Sequence, residues 1–159
     1  MEPLHFRRVA GQFATGVTVL TTGTVEQLHG MTANSFTSVS LRPPLILVCV
    51  DKSRVTHGRI LQEGRFGVSV LGADQQVLSE FFAGQRERLP PGSLEVVPGT
   101  TGVPLIVGAL AHLECRVVDV FPGGDHSIFV AEVEHADVGE SEDPLVFFRG
   151  RYVRLASPG

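Results

Sequence analysis

Apolar and polar positions alternate with two different periods along the chain. In residues 4–14, Phe6, Val9, Ala10 and Phe13 recur at three- and four-residue spacing, which predicts a helix with one apolar stripe, suited to a sheet or a second subunit. Gly16 is read as its stop. Residues 16–23 are β-branched and bounded by glycines, the pattern of a strand entering a turn. Residues 30–40 predict a further extended region rich in small hydroxyl side chains, punctuated by Pro43 and Pro44. Residues 45–50 are apolar at every position and read as a buried central strand.

The period then changes. Ser53 is a candidate cap for a short helix carrying Val55, Ile60 and Leu61, and residues 66–71 return to strand. Asp74 is the expected N-cap of a second helix with Val77, Leu78, Phe81 and Phe82 on one face and Gly84 as its stop. Residues 85–103, rich in Arg, Pro and Gly, read as one long loop. Residues 109–138 form the clearest hairpin, turning at residues 121–125. Residues 145–149 and 151–155 predict a last strand pair with a bulge or kink at Gly150. Many short strands with two or three helices favour an antiparallel β-barrel, mainly β with a few α elements, over a parallel sheet.

Composition sharpens this picture. A chain of 159 residues with 43% hydrophobic content suits one compact, soluble domain spanning residues 1–159. Charged residues are only 19%, below the roughly 25% of an average globular protein, while 18 Gly and 10 Pro imply many turns. Disorder and coiled coil are excluded, and some surface is expected not to face water. No apolar run approaches the roughly 20 residues of a membrane span, and no secretory signal is legible, so a cytoplasmic protein without membrane contact is expected. A net charge of -4 lacks the basic footprint of a nucleic-acid binder. Cys49 and Cys115 each lie in an apolar run without a ligand-spaced partner, which points to buried reduced thiols and no metal site.

The common reactive motifs are missing. There is no G-x-G-x-x-G or G-x-x-x-x-G-K-[ST] phosphate cradle, no H-E-x-x-H, no C-x-x-C and no G-x-S-x-G. Such a chain can borrow its chemistry from a cofactor. The unusual stretch is residues 30–40, where Asn34, the sole asparagine, sits among Thr32, Ser35, Thr37, Ser38 and Ser40. Neutral donors and acceptors in this density can bind the edge of a planar heterocycle and a phosphate; equally, they describe a strand whose hydroxyls face water.

The run N-S-F-T-S-V-S-L-x-P-P from Asn34, with G-V-S-V-L from Gly67, L-S-E-F-F-A from Leu78 and G-D-H-S-I-F-V-A-E-V from Gly124, resembles the flavin reductase family in order from Phe6 to Tyr152. These are NAD(P)H-dependent reductase components of two-component flavin monooxygenases. The resemblance implies a split β-barrel of FMN-binding type, Greek-key-like with flanking helices, built as a homodimer with flavin near the subunit interface. It further implies FMN or FAD as flavin, NADH or NADPH as co-substrate, and a monooxygenase as partner.

Carried over residue by residue, Thr32, Ala33, Asn34 and Ser35 would contact the isoalloxazine, with Ser38 near the ribityl and phosphate. Val50, Asp51, Ser53, Arg54, Val55 and Thr56 lead into a helix whose N-terminus is a natural phosphate site. Phe82 on the second helix, and Arg86 and Arg88 after it, complete the implied flavin set. His126 of G-D-H is the implied catalytic and nicotinamide-binding residue, joined by Phe148 and by Tyr152, the only tyrosine. His57 is an outside candidate for the flavin pocket. A flavin-binding module without turnover, or a flavoenzyme with its own small substrate, would share these residues.

Overall fold

The computed structural model describes residues 1–156. In chain order the elements are α1 (Pro3–Ala10), β1 (Thr15–Gly16), β2 (Thr18–Thr22), β3 (His29–Ala33), β4 (Phe36–Leu41), β5 (Pro44–Asp51), α2 (Val55–Glu63) and β6 (Arg65–Val70). A 3-10 turn (Ala73–Gln75) then leads into α3 (Gln76–Phe82). The remainder is strand: β7 (Val96–Pro98), β8 (Pro104–Ile106), β9 (Ala111–Gly123), β10 (His126–Val138), β11 (Val146–Phe148) and β12 (Arg151–Val153).

Seven strands form one antiparallel sheet in the order β3-β2-β6-β9-β10-β5-β4. The consecutive strands β3 and β4 thus occupy opposite edges. They do not pair with each other, so the curled sheet stays split along a seam that residues 34–35 cross. Two smaller sheets, β1-β11-β12 and β7-β8, flank it.

Two apolar clusters follow from the strand period of two. One fills the curl of the sheet with Leu20, Ile46, Val48, Val50, Phe66, Val68, Phe129 and Ala131, closed by Ile60 of α2. The other lies on the far face of β2, where Val17, Val19, Leu71, Leu78, Ile106 and Leu145 meet Phe82, Phe147 and Tyr152. Within the seven-stranded sheet the strand buried at every position is consequently β2, covered on both faces. In β5, expected to be the buried one, Ile46, Val48 and Val50 are buried while Leu45, Leu47 and Cys49 are half-buried, because it lies next to the sheet edge with one face uncovered.

Other sequence expectations change in detail. Helix α1 ends at Ala10 with Gly11 as C-cap, short of Phe13, and none of its residues is buried. The cap of α2 is Arg54 and not Ser53, whose N–H and hydroxyl both go to Asp51 Oδ1. Asp74 falls inside the 3-10 turn, so Gln75 is the residue that precedes α3. The long loop contains β7, which returns on β8. Phe121 and Pro122 remain in β9, and only Gly124 and Asp125 turn between the paired Gly123 and His126. Arg149 and Gly150 form a two-residue turn with φ of 52° and 76°, a hairpin connection rather than a bulge.

Candidate functional site

The seam collects the hydroxyl-rich motif, and most of its hydroxyls turn out to be spoken for. Thr18 Oγ1 donates to the Ala33 carbonyl at 2.7 Å, and Thr32 Oγ1 donates to the Ser79 carbonyl on α3 at 2.6 Å. Ser35 Oγ donates to the Cys49 carbonyl at 2.9 Å and accepts from the Cys49 N–H at 3.1 Å, serving the edge of β5 where the strand ladder stops. The backbone of Thr32, Ala33 and Ser35 is therefore fixed, and Asn34 between them is exposed.

Three openings border this motif and α3. A cavity of about 510 Å³ is lined by Phe13, Thr15, Gly16, Asn34, Ser35 and Phe36 among others. A smaller one of about 160 Å³ lies across Asn34 and is walled by Thr32, Ser79, Gln85, Phe147 and Tyr152. On the far side of Phe82 a groove of about 520 Å³ runs past His29, Gly30, Ser53, Arg54, Val55 and Thr56.

That groove is suited to an anion. No side chain caps the first turn of α2: the His57 N–H goes to the Arg54 carbonyl at 3.1 Å, and the N–H groups of Val55 and Thr56 meet no hydroxyl or carboxylate, beside the exposed Arg54 guanidinium. Thr56 is buried, its hydroxyl 2.8 Å from His29 Nε2. Burial, then the Arg59 charge, holds the His29 imidazole below its ordinary pKa against the opposing pull of Glu63. Glycine is needed at position 30 because a Cβ there would come within 2.6 Å of the Phe82 ring.

Not every residue of the implied set joins these openings. Val50 is fully buried among the barrel core, so its side chain packs and does not face a ligand. Ser38 is exposed in an irregular stretch of β4 between Ser38 and Ser40, outside all three openings. Arg86 pairs with Glu80 at 3.3 Å, which occupies much of its charge. Arg88 is exposed and lines none of them. Phe148 turns away, stacked under the Arg149 guanidinium at 4.7 Å. Alternation along β11 brings Phe147 inward in its place, edge-on to Tyr152 at 5.4 Å.

His126 opens β10 opposite Asp51. Its Nδ1 lies 2.7 Å from the Asp125 carboxylate. A carboxylate only accepts, so Nδ1 carries the proton and Asp125 leaves Nε2 free. The turn before it is pinned from Lys52, whose N–H reaches the Asp125 carbonyl at 3.0 Å and whose ammonium reaches the Gly124 carbonyl at 2.7 Å. Asp51, held below the usual carboxylate range first by the Ser53 N–H and then by the Ser53 hydroxyl, with the His126 and Arg54 charges also acting, joins this turn to the α2 groove. His57 instead reaches the buried Ser127 hydroxyl at 2.8 Å and meets Phe129 edge-on, a packing role.

The sequence profile of the flavin reductase like domain matches residues 10–156. The chain belongs to this family. A relative from Streptomyces globisporus named NADH-dependent FAD reductase is 46% identical over 98% of this chain and 87% of its own length. The reductase component of a 4-hydroxyphenylacetate 3-monooxygenase from Thermus thermophilus is 39% identical over 96% of this chain and 97% of its own. A flavin reductase solved in its native state superposes with a TM-score of 0.92 at 43% identity, covering 99% of this chain and 100% of that one. The barrel expected from the sequence is the fold of this family.

Residues that the sequence reading did not single out also line these openings. Ser79, Gln85 and Phe147 wall the small cavity, and His29 and Gly30 line the groove. Their signal was present but faint. Gly30 precedes the motif, and Ser79 interrupts the apolar face of α3 with a small polar side chain that is fully buried.

Proposed function

We propose that this chain is an NADH-dependent flavin reductase that reduces FMN or FAD and releases the product to a partner monooxygenase. One observation carries the reading: a backbone fixed by internal hydroxyl contacts at Thr32–Ser35 runs between openings that hold neutral polar groups, and continues past Phe82 into a groove ending at an uncapped helix N-terminus. A flat heterocycle fits the first part and a phosphate the second. The residues present suit a flavin, since neither part presents an unpaired acidic side chain to it.

A bound flavin would supply the hydride acceptor and a bound nicotinamide the hydride, with a proton from solvent or a side chain balancing the change to oxidised nicotinamide and reduced flavin. The chain's part is placement. Asn34 offers an amide donor and acceptor at the seam, Arg54 and the first turn of α2 hold the phosphate, and Phe82 separates the two regions. Thr15 Oγ1, buried without a partner on the wall of the cavity of about 510 Å³, is a spare donor for a carbonyl edge. Tyr152 and His126 receive the nicotinamide, His126 through the Nε2 that Asp125 leaves free. Positioning two reactants in this way can account for roughly 7–11 kcal/mol of a bimolecular barrier.

The low charge of the chain and the exposed apolar stripe of α1 support a homodimer. Anaerobic titration tests release: with excess flavin and NADH, a reductase accumulates many reduced flavins per chain. A flavin-binding module or a self-contained flavoenzyme would stop at one. His126→Ala is expected to lower NADH oxidation at least about tenfold, within the range of a lost acid-base or orienting group, while flavin affinity measured by fluorescence quenching is retained. A variant that loses flavin but keeps its turnover per bound flavin would remove His126 from the nicotinamide side.

A further inference from the structure

Ser79 is fully buried on α3, and it ties together three separate parts of the molecule. Its carbonyl accepts the Ala83 N–H of the helix at 3.0 Å and the Thr32 hydroxyl of the seam at 2.6 Å. Its own hydroxyl lies 2.7 Å from Tyr152 Oη, one hydroxyl donating to the other. Tyr152 in turn rests edge-on against Phe147. The phenol thus has two supports, a ring edge that fixes its tilt and a hydroxyl that fixes its reach, and both stand on the wall of the same cavity of about 160 Å³ as Asn34.

We propose that Ser79, through its hydroxyl, is a positioning residue that sets the Tyr152 phenol for the nicotinamide. This rests on the reading of the chain as an NADH-dependent flavin reductase. A phenol held only by Phe147 can swing along the cavity; tied to a buried hydroxyl on a packed helix it cannot. The cost of losing this tie falls on nicotinamide binding, because flavin phosphate and flavin edge are held by other residues.

The test compares Ser79→Ala, Tyr152→Phe and the double variant. Each single variant is expected to raise KM for NADH about tenfold, the size of one well-made hydrogen bond of about 1.4 kcal/mol. Flavin affinity should stay within about twofold, the fall in kcat should be smaller than the rise in KM, and the double variant should be no worse than either single one. A KM for NADH unchanged in Ser79→Ala overturns the proposal. So do effects that multiply in the double variant, and a parallel fall of kcat, flavin affinity and melting temperature.

A second measurement is independent of turnover. With one tyrosine in the chain, fluorotyrosine incorporated in its place gives a single fluorine NMR resonance that reports Tyr152 alone. NAD⁺ added to the flavin-loaded wild type should shift this resonance, and Ser79→Ala should move the titration midpoint to about tenfold higher NAD⁺. Identical titrations in the two proteins would refute the positioning role even with NADH oxidation intact. Absent NADH oxidation in the wild type would instead count against the reductase reading.

Discussion

A methyl group is enough to probe the groove. At Gly30 it would press on the Phe82 ring at 2.6 Å, and the ring is itself packed against the second apolar cluster. Gly30→Ala should therefore cost roughly 1–3 kcal/mol in denaturant unfolding, the usual penalty of overpacking, and weaken flavin binding as Phe82 is displaced. Unchanged stability would mean that Phe82 yields freely. Residue types at the seam were legible in the sequence through the family motif that starts at Asn34, since the hydroxyls alone described a solvent-facing strand equally well. Their assignments were not. Whether Thr32 turns to a ligand or to the Ser79 carbonyl depends on a helix 47 residues away, and that separation leaves no local trace. The same holds for Phe147 against Phe148, where one step of register decides which ring faces the cavity.

Among the elements, the β7–β8 hairpin shows how a stretch that reads as loop acquires order from afar. Glu114 on β9 accepts from the Thr100 N–H at 2.8 Å, from the Thr101 N–H at 2.6 Å and from the Thr101 hydroxyl at 2.5 Å. Gly99 lets the chain approach, since a Cβ there would lie 2.5 Å from the carboxylate. Strand β8 is fastened further by Thr21 Oγ1 to the Pro104 carbonyl and by the Ile106 N–H to Ser69 Oγ. No periodicity within three residues could announce such a strand. Burial pushes the Glu114 pKa up, but the three hydrogen bonds and the His135 charge outweigh it, and the carboxyl sits below its ordinary value. A depressed folded value means that its stabilisation is complete above the ordinary carboxylate range and is lost as pH falls through the depressed value. Glu114→Gln should lose roughly 1–3 kcal/mol at neutral pH, and its unfolding free energy should fall less steeply with acid than the wild type's. Parallel pH profiles would show that the anchor is not ionised. The opposite case is Cys115, whose thiol burial pushes up to about 12, with Glu134 and Glu114 adding to it. That thiol is inert at neutral pH, as the apolar run around it led one to expect.

At the scale of the whole molecule, the alternation of apolar residues with frequent turns was sufficient for an antiparallel barrel. The split followed from the family resemblance and not from the pattern of residues. It arises because β3 and β4, adjacent in sequence, pair outward with β2 and β5. Helix α1 presents Leu4 at 70% and Phe6 at 60% exposure, and the chain beyond it presents Phe13 at 80%, a stripe that a single chain leaves in water. No helix among the described residues is long and apolar enough to cross a membrane. A second copy is the expected cover, so light scattering should return twice the 17.1 kDa of one chain, and Phe6→Glu should shift the protein toward monomer. A monomeric wild type would leave the stripe and the low surface charge without a cause.

What remains to be measured is whether flavin passes through this site as something the protein reduces. NADH consumption by the purified protein, followed while free FMN or FAD is added, reads this directly: consumption should rise with added flavin to saturation. Consumption indifferent to added flavin, or none with either flavin, would contradict the reductase reading.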